Sequence, residues 1–348
     1  MKKKEKEKDY SEIFEYFKKN DNDIISFEGQ LGKGAFGEVR KCKCIFSKDE
    51  CASKLVEKEK SDNIEPEKLR GKNIIEIYKI SERKVEDKYY DLIIMELAVL
   101  RDTKKFFTNL ANYNLLKTIN RPFDEVVSDN ILRFFVKQIV NGLELFERNE
   151  FVHFDIKPEN ILITNELTIK LSDFSFLKDL NKEKDELKIP GGTKGFVPPE
   201  YYNKILGNKY LAKKQDYFAL GATIYFFKFN ELLLKYTECP KPDSNQIQII
   251  SQLQKSISKI KSNLLLNKDF ISFLCSLIQY SPEDRPNFEE IYRNKWLNEN
   301  RDEIKEIASC YSRNEEKKLI LELIKSDFLI EKKKKNKTIK KSRFKFVK

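Results

Sequence analysis

His153-Phe154-Asp155-Ile156-Lys157-Pro158-Glu159-Asn160 is the stretch on which the reading of this chain turns, and thirteen residues beyond Asn160 comes Asp173, within Ser172-Asp173-Phe174-Ser175. Phosphoryl transfer to a hydroxyl needs a carboxylate that orients the hydroxyl and accepts its proton, oxygen ligands for hard Mg²⁺, and a cation beside the moving phosphate. Asp155, Asn160, Asp173 and Lys157 supply that set. A lone aspartate or asparagine in a loop is ordinarily a turn residue, but four such groups at this joint spacing argue for chemistry.

Upstream, Gly32-Lys33-Gly34-Ala35-Phe36-Gly37-Glu38-Val39 places a G-x-G-x-x-G-x-V run between two segments that read as strands. A dinucleotide site requires a helix directly after the glycines and an acidic residue about 20 positions on, whereas this chain continues as the strand GEVRKCKC. In a hairpin the glycines form a flap whose backbone, free of Cβ atoms, can approach phosphates. Taken alone, a glycine-rich structural hairpin explains the run equally well. Fifteen residues after Val39, Lys54 shares a strand face with Ala52 by period-two alternation. A lysine in an apolar strand ordinarily faces solvent, yet beside such a flap its better reading is an ammonium reaching the α and β phosphates of a nucleotide.

Around these motifs the periodicity divides the chain. From about Ile24 to Ile94 short apolar or alternating runs broken by glycine and charge predict strands in hairpins. Ile131, Phe135, Ile139, Leu143 and Phe146 then recur at helical spacing behind Ser128, a candidate cap, and Asp216 to Phe229 is apolar nearly all round, as in a helix buried within a large lobe. Residues 302–330 carry apolar clusters suited to an amphipathic helix. A mostly β region thus precedes a mostly α region, an α+β class.

These motifs, in this order, resemble those of the eukaryotic protein kinases over about residues 24–298. Gly192-Thr193-Lys194-Gly195-Phe196-Val197-Pro198-Pro199-Glu200 looks like the family's activation-segment end, Asp216-Tyr217-Phe218-Ala219-Leu220-Gly221 its central helix, and Ser281-Pro282-Glu283-Asp284-Arg285-Pro286 completes the set. The resemblance implies a two-lobed fold, a small β-rich N-lobe over about 24–97 and a larger helical C-lobe over about 98–298. It implies ATP and Mg²⁺ as cosubstrate and cofactor and protein substrates as acceptors, with Lys157 two residues after Asp155 pointing to the Ser/Thr class. By the same resemblance Asp155 is the catalytic base, Lys157 neutralises the γ-phosphate, Lys54 binds the α and β phosphates, and Asn160 and Asp173 hold Mg²⁺. Gly32, Gly34 and Gly37 would cover the phosphates. Adenine would lie between Leu31, Val39 and Ala52 above and Leu162 below, read by the backbone of Glu96 and Ala98, with Met95 as gatekeeper and Asp102 near the ribose. Arg285 would pair with Glu200, Asp216 would hold the catalytic-loop backbone, His153 would bond backbone near Asp173, and Trp296 would pack in the core.

Four departures stand out. Phe154 replaces the arginine that receives an activation-loop phosphate, and residues 176–192 contain no Ser, Thr or Tyr, so activity independent of such phosphorylation is expected. Ser175 replaces the glycine after Asp-Phe, costing about 1 kcal/mol if a positive φ is needed there. Only 18 residues, Pro66 among them, separate Lys54 from Asn73, so the helix that carries the lysine's glutamate partner must be short or reorganised; Glu65 leads as that partner, then Glu59 and Glu57. The stretch 101–127 reads as an insertion beside the cleft. The rival reading is a pseudokinase acting as a scaffold or allosteric binding module; a small-molecule kinase of related fold is disfavoured by Pro199-Glu200, Asp216 and Arg285.

Composition bounds the rest. The 348 residues are 40% hydrophobic, enough for a core, and no apolar run approaches the ~20 residues of a membrane helix. The net charge of +11 is concentrated at the ends, +9 over 331–348 and +2 over 1–9. That leaves a neutral body, which argues against a surface built for specific nucleic-acid binding. The basic tail over 331–348 reads as a solvated end or as a site for an acidic partner or import receptor. Residues 1–23 are expected to be a basic extension and 299–330 a helical one. With no apolar leader or lipidation signal at the ends and six dispersed cysteines (Cys42, Cys44, Cys51, Cys239, Cys275, Cys310), a cytoplasmic or nuclear setting is expected.

Overall fold

Five antiparallel strands build the first lobe: β1 (Ile24–Gly34), β2 (Gly37–Cys44), β3 (Cys51–Glu57), β4 (Ile77–Val85) and β5 (Lys88–Glu96), in the spatial order β1-β2-β3-β5-β4. The computed structural model describes residues 10–299, leaving out 35–36, 48, 58–64, 99–101, 110–126, 128, 165, 184–189, 204–208 and 236–241 within that span. Alternation sorts the sheet into two faces. On β3, Ala52, Lys54 and Val56 lie opposite Met95, Ile93 and Asp91 of β5, and Val56 and Ile93 join the core that continues into the helical lobe. Cys51 and Leu55 turn to the other face, with Cys42, Tyr90, Leu92 and Ile94.

That second face is covered by α1 (Ser11–Asn20), which buries Ile13, Phe14 and Phe17 at helical spacing, with Tyr10 just before them. The Arg40 guanidinium lies 4.3 Å from the centre of the Phe14 ring and donates to Ser11 Oγ at 2.9 Å. The stretch 1–23, expected to be an extension, therefore contributes from Tyr10 onward to the folded lobe. The cysteines expected to be dispersed also gather here, because the β2–β3 register sets Cys42 opposite Cys51. Cys42, Cys44 and Cys51 are buried free thiols, and burial pushes Cys42 up to about 11, so it stays protonated and acts as a small apolar side chain.

In the second lobe, α3 (Asp129–Arg148) buries the predicted Phe135, Ile139, Leu143 and Phe146 together with Leu132 and Val136, while Ile131 is half-buried at the edge of that face. A helix over 103–109, α2, opens the stretch read as an insertion, and it is core: Phe106 and Phe107 pack on Phe135 with ring centroids at 5.2 and 5.5 Å. α4 (Lys209–Phe229) is buried nearly all round from Ala212, as its composition implies. Its buried Lys228 is satisfied by Val127 O at 2.9 Å and Asp129 Oδ1 at 3.0 Å. The lobe closes with α5 (Pro242–Ser262), α6 (Lys268–Leu277), α7 (Phe288–Tyr292) and α8 (Lys295–Asn298). Trp296 is fully buried against Phe270 and Phe273. The architecture is thus the expected α+β pair of lobes. Ser128, the expected cap, and everything after Glu299 fall outside the described residues, and among those residues no helix is long and apolar enough to cross a membrane.

Candidate active site

Short strands frame the site: β6 (Phe151–Val152) leads into the 153–157 loop, a 3-10 turn (Pro158–Asn160) follows, and β7 (Ile161–Ile163) pairs with β8 (Ile169–Leu171). β9 (Lys178–Asp179) returns to pair with β6. The loop backbone is held from α4. Asp216 Oδ2 accepts the His153 N–H at 2.7 Å and Oδ1 the Phe154 N–H at 2.9 Å. Burial pushes the Asp216 carboxyl up to about 7 while these two donors pull it down. They anchor a strained segment, since Phe154 has φ +61°, a left-handed conformation that costs a residue with a Cβ about 1–2 kcal/mol.

Asp155, buried and next in the chain, is oriented on both oxygens. Its Oδ1 accepts from Thr193 Oγ1 at 2.7 Å, and its Oδ2 accepts from Lys157 Nζ at 2.6 Å and Asn160 Nδ2 at 2.9 Å. Lys157 Nζ also donates to Thr193 Oγ1 at 2.5 Å, so carboxylate, ammonium and hydroxyl form one closed set. His153 Nδ1 accepts the Asp155 N–H at 3.2 Å, which leaves the ring proton on Nε2, 3.1 Å from Ser172 O. Burial holds this histidine below its usual range; it is neutral, and its place is structural, as the sequence implies.

Asp173 has φ +63°. Its Oδ1 accepts from Lys54 Nζ at 2.5 Å, Ser175 Oγ at 2.6 Å and the Ser175 N–H at 3.4 Å. Burial works to raise this carboxyl, but the Lys54 ammonium and the hydrogen bonds hold it well below the usual carboxylate range. The intervening Phe174 packs its ring 5.7 Å from His153 and 6.2 Å from Phe146, pinning the turn. The positive φ therefore falls on Asp173 and not on Ser175, and the conditional cost of replacing glycine there does not arise.

The donor set fits a magnesium ion. Asn160 spends its Nδ2 on Asp155, both on the carboxylate and on the backbone oxygen at 2.9 Å, which leaves Oδ1 as an acceptor. The bonds to Asp173 all fall on Oδ1, which leaves Oδ2. Two oxygens, one anionic, are what a hard cation takes from protein when phosphate and water complete its shell.

The residues expected around a nucleotide fall on the strands and turns next to Lys54 and Asn160. Val39 stands opposite Lys54 and Ala52 opposite Met95 in the register. Half-buried Leu162 approaches from β7, where it bridges to Asp102. Leu31, Gly32 and Ala98 are half-buried. A Cβ on Gly32 would meet open space, whereas one on Gly37, at φ +150°, would sit 1.8 Å from Leu55 O. Gly37 is thus required for β2 to lie on β3, and Gly34 pairs with it across the hairpin. Glu96 donates its backbone N–H to Glu76 O at 2.9 Å, and its carboxylate pairs with Lys170 at 2.7 Å. Asp102 Oδ1 accepts the Lys105 N–H at 2.9 Å, capping the start of α2.

The expected glutamate partners of Lys54 need correction. Glu57, three residues on, points to the opposite face of β3 and bonds Lys88 at 2.5 Å. Glu65 precedes a 3-10 turn, Pro66–Leu69, and bonds Lys68 and Lys182, each at 2.7 Å; Glu59 lies outside the described residues. Among the described residues the partners of Lys54 are Asp173 and Ser175, the latter at 3.1 Å. Thr193 and Ser175 were not among the expected site residues. Both stand inside quoted motifs, but their spacing carries no sign that their hydroxyls return to Asp155 and Lys54. Phe154, in place of an arginine, packs with Val152, Leu180 and Ala212.

The site is braced from below by Arg285, whose Nη1 and Nη2 meet Glu200 Oε1 and Oε2 at 2.6 and 2.7 Å. Two lobes, this catalytic cluster and this brace define a protein kinase domain, and the family model of that description matches residues 25–297. The chain belongs to the protein kinase family. It is 26% identical to the human hormonally up-regulated neu tumor-associated kinase over 301 residues, 82% of this chain and 38% of that protein. It is 26% identical to the serine/threonine-protein kinase atg1 of Dictyostelium discoideum over 290 residues, 78% of this chain and 39% of that protein. With the Aurora kinase of Schizosaccharomyces pombe it shares 26% over 280 residues, 77% of this chain and 69% of that protein. The chain spans about two fifths of the length of the first two relatives.

Proposed function

We propose that this chain transfers the γ-phosphate of ATP to serine or threonine hydroxyls of protein substrates, with Mg²⁺, and without phosphorylation of its activation loop. The observation that carries the reading is the closed set of Asp155, Lys157, Thr193 and Asn160 beside Lys54 and Asp173. Asp155 receives the proton of the acceptor hydroxyl, and Lys157 donates to the oxygens of the phosphoryl group as it moves. Lys54 directs the α and β phosphates. Asn160 and Asp173 would hold Mg²⁺, which supplies neutralisation of phosphate charge when bound. Phe154 supports the loop's independence: an apolar cluster occupies the place where a phosphate-receiving arginine would act, and no acceptor hydroxyl occurs over 176–192.

Phosphate transfer from Mg²⁺-ATP to a generic Ser/Thr protein is the test, with wild type and Asp155→Asn in parallel, before and after phosphatase treatment. Transfer by wild type alone, unchanged by phosphatase, is the expected result. Silence of both proteins with nucleotide still bound would replace this reading with a scaffold built on the kinase fold.

A further inference from the structure

The hydroxyl of Ser175 sits between the two groups on which nucleotide chemistry depends. It donates to Asp173 Oδ1 at 2.6 Å and accepts from Lys54 Nζ at 3.1 Å, using one donor and one lone pair of the three sites a hydroxyl offers. The Ser175 N–H reaches the same Oδ1 at 3.4 Å, and the buried Phe174 fixes the backbone between them. A serine closing a local turn needs only its own chain. Here the hydroxyl also reaches a lysine 121 positions away on another lobe.

We propose that Ser175 is a positioning residue for nucleotide and metal, holding Lys54 and Asp173 in register through one shared hydroxyl. This rests on the kinase reading of the cleft. Two consequences follow from the geometry. Bonds to Lys54 and Ser175 both fall on Oδ1 of Asp173, so Oδ2 is the oxygen left to a ligand. When Lys54 turns toward phosphate, the Ser175 hydroxyl remains on Asp173 and keeps that orientation. With glycine or alanine at 175 the carboxylate keeps, besides the lysine, only the long 3.4 Å bond from the residue-175 N–H, and the lysine's departure leaves it held by that bond alone.

The test compares Ser175→Ala, Ser175→Gly and Ser175→Thr with wild type in the full chain. Calorimetric binding of ADP is measured with and without Mg²⁺, alongside KM for ATP and for the protein substrate. The expected result is a roughly tenfold weaker Mg²⁺-ADP affinity in Ser175→Ala and Ser175→Gly. A parallel rise in KM for ATP, an unchanged KM for protein substrate and recovery in Ser175→Thr complete it. The proposal is overturned if Ser175→Ala binds Mg²⁺-ADP within twofold of wild type. It is equally overturned if threonine fails as alanine does, or if the nucleotide-free protein loses enough thermal stability to account for the change. Should wild type prove unable to transfer phosphate, the kinase reading falls, while the binding arm still decides the role of Ser175.

Discussion

The two lobes hold their functional residues by different means. In the helical lobe the polar groups of the site are fixed by partners elsewhere in the fold: Asp216 from α4 holds the loop backbone, Thr193 from the activation segment holds Asp155, and Arg285 holds Glu200. In the sheet lobe Lys54 is held, among the described residues, by Asp173 and Ser175 of the other lobe, while the sheet's far face is closed by an apolar helix. Polar brackets thus pin one lobe, and apolar cover shapes the other. Buried charges tolerate few geometries, so the bracketed lobe is rigid at its site. On the proposed function Lys54, held by Asp173, would exchange partners when nucleotide arrives.

The bracket can be broken at Arg285. Its guanidinium is fully buried and donates to Gln279 O, Tyr280 O and Lys214 O as well as to Glu200. Arg285→Ala leaves the Glu200 carboxylate without its charge partner, with Gln215 Nε2 still donating at 2.8 Å, and should cost about 3–5 kcal/mol, read by thermal or urea denaturation. A loss below about 1 kcal/mol would show that the brace is decorative. The cover can be broken at Phe14, buried on the sheet beneath Arg40 with its ring 4.8 Å from Phe27. Phe14→Ala should cost about 3 kcal/mol and lower the sheet lobe's protection from hydrogen exchange before that of α3 and α4. Equal loss in both lobes would mean that they unfold as one unit.

A smaller effect separates positioning from stability. Thr193→Ala removes the hydroxyl shared by Asp155 and Lys157, and about a tenfold loss in kcat/KM is expected, or roughly 1.4 kcal/mol of transition-state stabilisation. Thr193→Ser should restore it, with no change in melting temperature. Full activity of Thr193→Ala would leave Lys157 and Asn160 as the groups that orient the base.

The same contrast governs what could be read without coordinates. Brackets join motif residues to motif residues: Asp155, Asn160 and Asp173 stand out by residue type and spacing, while Asp216, Glu200 and Arg285 follow from the family resemblance of their motifs. The strands were legible from alternation, and α3 and α4 from the width of their apolar faces. Cover is not written in motifs. α1 lies in a lysine-rich stretch whose overall charge hides the apolar positions Ile13, Phe14 and Phe17, and the pairing of Cys42 with Cys51 depends on register. Of the candidate partners of Lys54, side-chain period along β3 excludes Glu57, and Glu65 is drawn to Lys182, 117 positions away.

The smallest predicted effect lies at the seam between α1 and the sheet. Asp21, buried just beyond the helix, accepts from Lys79 Nζ on both oxygens at 2.8 and 2.9 Å, from Ser81 Oγ at 2.9 Å and from the Asp23 N–H at 3.1 Å. Burial works to raise its carboxyl pKa, but these donors hold it below the usual range. A carboxylate depressed on folding adds stability that is complete above its unfolded value of about 3.9 and is lost as pH falls through the folded value. Lys79 is raised by the same contacts against its own desolvation, so its share is lost only as pH climbs through a folded value above the usual lysine range. Asp21→Asn should therefore cost about 1 kcal/mol, a modest figure because Lys79 is 30% exposed. The difference from wild type should be level between about pH 5 and pH 9 and should shrink below pH 4. A difference that does not change in acid would mean that Asp21 serves by shape and neutral hydrogen bonding, and that the seam, like the rest of the cover, is not electrostatic.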